Sequence, residues 1–181
     1  MGKTMKIRGE RIILRPLQKE DAGSLFNHAN DLDIARYTLL PHPYTLKTAL
    51  DFINITKKNR EKKKAFEFGI ELMETEKIIG MISLMNIDEK NKNAEIGYWL
   101  GKKYWGKGIM REAVKLILQF GFKKLKLERI YAKVLHPNVA SAKLLEKSGL
   151  RYEGRLRRAT LRRGRWYDDL CFGILKTELR K

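Results

Sequence analysis

Residues 101–110 read Gly101-Lys102-Lys103-Tyr104-Trp105-Gly106-Lys107-Gly108-Ile109-Met110. Just before them, Ala94–Leu100 (Ala-Glu-Ile-Gly-Tyr-Trp-Leu) has the composition of a buried strand. Just after them, Ile109, Ala113, Leu116, Ile117 and Phe120 recur at helical spacing, in a helix expected to close near Gly121. A glycine loop between a strand and a helix turns backbone N–H groups toward phosphate oxygens. Gly101 to Lys107 satisfies the first seven positions of the nucleotide-binding pattern G-x-x-x-x-G-K. The eighth position needs a Ser or Thr hydroxyl for magnesium, and here it is Gly108. No strand ends in a convincing magnesium-binding aspartate. The loop therefore reads as a phosphate cradle that belongs to no NTPase.

Working outward, the segments alternate between strands and helices. Toward the N-terminus, Phe66, Phe68 and Ile70 alternate with Glu67, Gly69 and Glu71, and Lys77–Met85 is the returning strand after a turn at Met73–Glu76. Arg11–Arg15 predicts a short strand stopped by Pro16. Two helices are expected ahead of the hairpin. One carries Leu25, Phe26 and Ala29 behind an acidic first turn at Glu20 and Asp21. The other carries Leu46, Ala49, Leu50 and Ile53, enters after the Pro41-His42-Pro43 break and dissolves into the basic run Lys57–Lys64. That run is either a phosphate-binding patch or a solvated helix end. Toward the C-terminus, Arg129–Leu135 is a strand and Asn138–Ser148 a helix, with Gly149 suited to a left-handed stop. Leu150–Gly154 and Tyr167–Leu175 complete the strands around a turn at Gly164. The pattern is α/β with a mixed sheet in a single domain over residues 1–181.

Composition narrows the function classes. Hydrophobic residues at 43% and charged residues at 33% describe a globular chain of 181 residues. The net charge of +18 favours anionic partners: nucleic acid, acidic membranes or phosphate-bearing small molecules. One cysteine excludes an internal disulfide and a multi-cysteine zinc site, and no metal is expected. No apolar run approaches the ~20 residues of a membrane-spanning helix. The first residues carry no apolar stretch of a secretory signal, and Lys6 stands where a myristoylation motif needs Ser or Thr. The expectation is a cytoplasmic protein without a membrane partner.

The loop resembles motif A of the GNAT N-acetyltransferases, Q/R-x-x-G-x-G/A, with Trp105, Gly108 and Met110 at its three defined positions. The first and last of these depart from the pattern. The flanking residues carry the likeness further. Glu95-Ile96-Gly97-Tyr98-Trp99-Leu100, then Tyr104-Trp105-Gly106-Lys107-Gly108 and Glu112-Ala113, resemble the RimJ/RimL-type branch, which includes ribosomal-protein N-terminal acetyltransferases. So do Asn138-Val139-Ala140-Ser141, Lys143–Leu150 and Glu153-Gly154. The likeness runs from about Arg11 to Leu175. It implies a GNAT-type domain with a mixed, mostly antiparallel central sheet, splayed strands and flanking helices, and acetyl-CoA as cosubstrate.

The resemblance also assigns roles. The amides of Trp105, Gly106, Lys107, Gly108, Ile109 and Met110 would cradle the pyrophosphate, with Arg111, Lys143, Lys102 and Lys103 as nearby cations, although each is equally readable as a solvated surface residue. Trp99 and Leu100 would offer main-chain bonds to the pantetheine arm and an oxyanion donor. Asn138 is readable as a helix N-cap, as a cofactor contact, or as both. Ser141 would protonate the departing thiolate or simply pack. Glu95 is the candidate base, acting through water, or else an edge carboxylate neutralised by lysine. Tyr98 is a hydroxyl beside the thioester or a core aromatic. His136 reads as a turn residue and Cys171 as a small buried hydrophobe.

The acceptor remains open at this level. An α-amine, with an ordinary pKa of ~7.7–8.0, is partly neutral at physiological pH and needs less help than lysine at ~10.4. A protein N-terminus is the leading acceptor, with ribosome association as a corollary. Two alternatives stand beside it. The stretch Arg155–Trp166 holds six arginines and an aromatic, as an RNA-binding or ribosome-docking protein on an inactive fold would. Asp168 and Asp169 either offset that charge or contact a substrate amino group. A small-amine (polyamine or antibiotic) acetyltransferase would need Glu67, Glu71, Asp168 and Asp169 to gather into an acidic pocket. A monomer and a homodimer fit equally well.

Overall fold

A computed structural model describes residues 5–179, and the reading of a missing signal falls largely on residues 1–4, outside the described residues. Eight strands form one sheet: β1 (Ile7–Arg8), β2 (Ile12–Arg15), β3 (Phe66–Leu72), β4 (Lys77–Asp88), β5 (Asn93–Leu100), β6 (Arg129–Leu135), β7 (Arg151–Arg162) and β8 (Arg165–Leu175). Their order across the sheet is β1-β2-β3-β4-β5-β6-β8-β7, so the sheet stays open at both edges. Every neighbouring pair is antiparallel except β5 with β6. Five helices cover the faces: α1 (Ala22–Ala29), α2 (Leu32–Tyr37), α3 (Leu46–Glu61), α4 (Ile109–Lys123) and α5 (Val139–Lys147). Among the described residues no helix is long and apolar enough to cross a membrane.

Strand periodicity sorts the core into two layers. Phe68, Ile70, Ile82, Leu84, Ala94, Ile96, Ile130, Ala132, Phe172 and Ile174 point to one face, where Ala113, Val114, Ile117 and Leu118 of α4 and Leu145 of α5 pack on them. Ile78, Met81 and Trp99 join Leu25 and Ala29 of α1, Ile34 of α2 and Ala49 and Ile53 of α3 on the other. Arg15 is buried at the end of β2, where its guanidinium grips Asp21 through two nitrogens and donates to Glu71. Those two carboxylates hold its charge on; the hydrogen bonding to Asp21 outweighs burial and raises its pKa further.

The parallel pair is short. β5 and β6 are in register only for Asn93–Glu95 against Arg129–Tyr131, while β5 continues to Leu100 and β6 to Leu135. Beyond Glu95 the two strands part. The splay implied by the resemblance is thus a feature of this chain.

Several elements differ from the sequence expectation. α3 does not dissolve at Lys57 but continues through Arg60 to Glu61, because Ile53 and Thr56 stay buried on one side while the long cations extend outward. α2 is a six-residue helix that the periodicity does not reveal; Asp31 starts it by accepting from the Asp33 amide at 2.8 Å. Gly121 lies inside α4, two residues before its end at Lys123. A Cβ there would sit 2.7 Å from the Ile130 side chain, so this glycine serves close helix-to-sheet packing rather than termination. The arginine-rich stretch is itself strand: β7 runs to Arg162 and pairs with β8 in a long hairpin. Charge on both faces hides its period-2 pattern.

Gly80 lies opposite Leu100, at the far end of the stretch of β5 that stands alone on its β6 side. A Cβ at Gly80 would lie 2.5 Å from the Trp99 carbonyl oxygen, a backbone atom that cannot rotate away. Gly80→Ala is expected to lower stability by ~1–3 kcal/mol, as overpacking does, in urea unfolding. It should also weaken acetyl-CoA binding, because the shifted strand borders the gap.

Candidate functional site

The gap between β5 and β6 opens into a cavity of about 1380 Å³ that runs through the plane of the sheet. Its walls come from the end of β5 (Glu95–Leu100), the loop and first turn of α4, the turn into α5, the segment Tyr37–Pro41 and the β7–β8 hairpin. Backbone that fails to find a neighbour in the sheet has to find other partners or a ligand. The splayed halves of β5 and β6 are such backbone.

At one mouth, the loop into α4 has the form of an anion cradle. Gly106 and Gly108 take φ values of +72° and +75°, the left-handed region that favours glycine. Gly108 caps α4. Among the described residues, the backbone N–H groups of Gly106, Lys107, Gly108, Ile109, Met110 and Arg111 donate to no protein acceptor. The first helical bond is from Glu112 N–H to the Gly108 carbonyl at 3.2 Å. A run of free amides at the start of a fifteen-residue helix suits the pyrophosphate of CoA, so the residues present fit that group.

A clamp fixes this loop. Glu112 in the first turn of α4 accepts from the amides of Glu10 and Arg11 at 2.7 and 2.9 Å and from Arg11 Nε at 3.0 Å. Arg11 Nη1 then donates to the Lys107 carbonyl at 2.9 Å. The β1–β2 turn therefore holds the loop by the Lys107 carbonyl and leaves its amides free. Burial alone would push the Glu112 carboxyl up, but donors from Arg11 and Glu10 prevail and hold it below its ordinary value. Glu112 appears in the sequence only as part of a likeness, and Arg11 gives no local signal. Their partnership spans 101 positions.

The cations near the loop do not act as one group. Arg111 and Lys143 line the cavity with Trp105, Gly106, Gly108, Ile109 and Met110. Lys107 does not: its ammonium lies 5.9 Å from the Tyr104 ring centroid. Lys103 also sits over that ring, and Lys102 pairs with Asp33. Trp105 is half-exposed, with its indole N–H donating to the Leu100 carbonyl at 2.6 Å.

The strand β5 places the candidate chemical groups on opposite faces. Tyr98 points to the α4–α5 side, where its hydroxyl and Ser141 Oγ are 2.7 Å apart. Burial pushes the Tyr98 phenol up to about 12, with the Ser141 bond acting against it. Asn138 is an N-cap: its Oδ1 accepts from the Ser141 amide at 3.1 Å and so fixes the turn that carries Ser141. Glu95 and Trp99 project to the other face, with Trp99 in the α1–α3 core layer. Glu95 is half-buried in an interior strand, not at a sheet edge, and its carboxylate accepts from Asn86 Nδ2 at 2.9 Å; among the described residues no lysine pairs with it. Tyr98, Ser141, Asn138, Glu95 and Trp99 all border this cavity.

The four-carboxylate pocket that a polycationic acceptor would need does not assemble. Glu71 is held by Arg15, and Asp168 by Arg155 and by the Arg158 amide at 2.8 Å. Glu67 and Asp169 do line the cavity. Glu67 accepts from Asn59 Nδ2 at 2.7 Å, and burial, opposed by that bond, raises its carboxyl. His136 is exposed in the turn after β6, its amide bonded to the Asp168 carbonyl. Cys171 is half-buried in β8, and burial pushes its thiol up, away from nucleophile chemistry.

Glu112→Gln is expected to lower acetyl-CoA affinity about tenfold by titration calorimetry, the scale of one lost charge-assisted hydrogen bond. The stability difference between Glu112→Gln and the parent has a defined pH course. Glu112 titrates lower when folded than when unfolded, so its contribution is complete above the unfolded value of ~4.3. It is lost as pH falls through the lower folded value. Unfolding curves should separate at pH 7 and converge once the pH has fallen below the depressed folded value.

Residues 11–151 match the family model described as Acetyltransferase (GNAT) domain. The chain is 38% identical over 170 residues to a Bacillus licheniformis protein named "Uncharacterized N-acetyltransferase p20", covering 93% of this chain and 95% of that one. It is 36% identical over 101 residues to the Bacillus subtilis (strain 168) protein named "Putative ribosomal N-acetyltransferase YdaF", covering 56% of this chain and 55% of the relative. Among solved structures, a GNAT-family acetyltransferase from Bacillus anthracis superposes with a TM-score of 0.85 at 29% identity, over 96% of this chain and 100% of that one.

Proposed function

The chain belongs to the GNAT acetyltransferase family and is an acetyl-CoA-dependent N-acetyltransferase, and on that premise we propose that its acceptor is the N-terminal α-amine of a protein or peptide, as in the RimJ/RimL-type branch. The observation that carries this reading is the size and lining of the cavity. At about 1380 Å³ it reaches from the loop of α4 to the Tyr37–Pro41 segment and the β7–β8 hairpin, where the lining residues Leu39 and Leu156 are exposed. That volume leaves room for a chain end beside the cosubstrate. Similarity to a relative named as a ribosomal N-acetyltransferase supports the same acceptor. A polyamine would be better served by a ring of carboxylates, and two of the four candidate carboxylates are engaged elsewhere.

Acetyl-CoA supplies the acyl group as a thioester, and the chain supplies position and charge. The free amides of the α4 loop and Arg111 hold the phosphates. Backbone of Trp99 and Leu100 offers the donor for the carbonyl oxygen as it gains charge. Asn138 orients the turn that carries Ser141, and Ser141 donates to the Tyr98 oxygen. The Tyr98 proton is then directed at the departing sulfur. An ordinary thiol titrates near ~8.5, well below a phenol held at about 12, so full transfer from Tyr98 is uphill. Tyr98 acts by hydrogen bonding to the sulfur as negative charge builds there.

Free-thiol release from acetyl-CoA tests the acceptor. The panel is peptides beginning Ala, Ser or Met, the same peptides with a blocked N-terminus and a free lysine, and a polyamine. Turnover is expected only with free N-termini; turnover with the polyamine alone would move the acceptor to small amines. Tyr98→Phe is expected to lower kcat by roughly 10²-fold, as loss of one transition-state donor does, with the acetyl-CoA KM nearly unchanged.

A further inference from the structure

Asp169 stands out among the acidic residues of this strongly basic chain. It is 5% exposed, in the middle of β8, and lines the acceptor side of the cavity. A buried carboxylate ordinarily has a cation or several donors. Asp169 has one side-chain donor, the Thr160 hydroxyl, at 2.9 Å from Oδ2. Among the described residues no Lys, Arg or His is within ion-pair distance of it.

Sheet register places it beside the gap. Glu95 and Tyr131 are the last registered pair of β5 and β6, and Trp99 and Leu135 each lie four residues further along their own strand, on the two sides of the opened gap. Leu135 is the antiparallel partner of Asp169. Asp169 therefore sits one strand beyond the gap, on the face toward which Trp99 and Glu95 project. Phe172 and Ile174 point to the α4 face, and Asp169, at odd spacing from Phe172, points to the acceptor face.

The hairpin is shaped to aim this carboxylate. Between Leu156, opposite Asp169, and Thr160, opposite Tyr167, β7 carries three residues against one on β8. Arg158 in this bulge takes a φ of +48°. Asp168 secures the bulge by accepting from the Arg158 amide and from Arg155. The extra residues turn the β7 chain so that Thr160 reaches back across to Asp169. Two adjacent aspartates thus divide the work. Asp168 faces the arginines and holds the loop, and Asp169 faces the cavity.

We propose that Asp169 is the catalytic carboxylate that receives the acceptor amine, with Thr160 as its positioning residue. The protonated amine supplies the cation that the buried carboxylate lacks. Asp169 takes one proton from the ammonium on its unshared oxygen, which frees the nitrogen lone pair. That nitrogen attacks the thioester carbonyl carbon. The C–N bond forms, the attacking nitrogen gives up its second proton to water, the C–S bond breaks, and the sulfur leaves as a thiolate with the bond's electron pair toward Tyr98 on the other side of the gap. Amine capture and thiolate departure then occur on opposite faces of the sheet. The inference rests on N-acetyl transfer itself and holds for any amine acceptor.

The test compares Asp169→Asn, Asp169→Glu and Thr160→Val with the parent enzyme, using the amine that the parent acetylates fastest. Acetyl-CoA binding is measured by calorimetry and folding by thermal melting. Asp169→Asn is expected to bind acetyl-CoA within about threefold of the parent and to lose roughly 10²-fold or more in kcat/KM for the amine. Thr160→Val should lose about tenfold, mostly in amine KM, and Asp169→Glu should recover part of the Asn loss. Asp169→Asn activity within threefold of the parent overturns the proposal. So does a loss of acetyl-CoA binding or of melting temperature that matches the loss of rate in both Asn and Glu variants. Which amine the parent uses is read from the parent alone, so failure of the N-terminal-amine reading is separate from failure of this one.

Discussion

Three residue pairs hold β5 to β6, and the site depends on the pairing stopping there. A sheet satisfies its backbone by neighbours, and a strand that loses its neighbour within the molecule exposes a ladder of donors and acceptors. Here the loss is built in. Beyond Glu95 the strands diverge, and a through-going cavity replaces the ladder. The chain accepts this because each strand keeps its other neighbour: β5 stays paired to β4 through Leu100, and β6 to β8 through Leu135. The sheet is continuous at the foot of the gap and open above it.

That single opening explains why the functional groups divide as they do. Alternation along β5 sends Tyr98 to the α4–α5 side and Glu95 and Trp99 to the other. In an unbroken sheet these faces would never share a ligand. The gap lets one cavity touch both. Cationic and amide-rich surface lies at the α4 mouth, and carboxylates lie on the acceptor side, within a chain whose net charge is +18. The excess charge is thus spread outward, with five of the hairpin arginines clear of any ion pair among the described residues.

Much of the frame is legible in local pattern. The alternation in Phe66–Ile70, the period of Ile109–Phe120 and the glycine loop between Leu100 and Ile109 depend on neighbours a few residues apart, so they can be read without the fold. The misread elements share a cause. Gly121 looks like a stop but answers to Ile130. Lys57–Glu61 looks like a helix end, but its helicity is set by the buried side of α3. Arg155–Arg162 lies beyond the strand read at Leu150–Gly154 and is strand because β8 lies beside it. In each, a distant contact outweighs the local preference.

The sequence by itself determined the fold class, the glycine loop between strand and helix and the family likeness, and it singled out Tyr98, Glu95, Asn138 and Ser141 as candidates. Only the tertiary structure decided which of these meet. Tyr98 and Ser141 are 43 positions apart and 2.7 Å from oxygen to oxygen. Arg11 reaches Lys107 across 96 positions to hold the loop. Asp168 and Asp169 are neighbours in sequence, yet one is bound to an arginine and the other lines the cavity. The physical reason is that helix and strand formation depend on near neighbours and periodicity. A site is made by register between strands and by packing between layers, and those are set when the whole chain closes on its core.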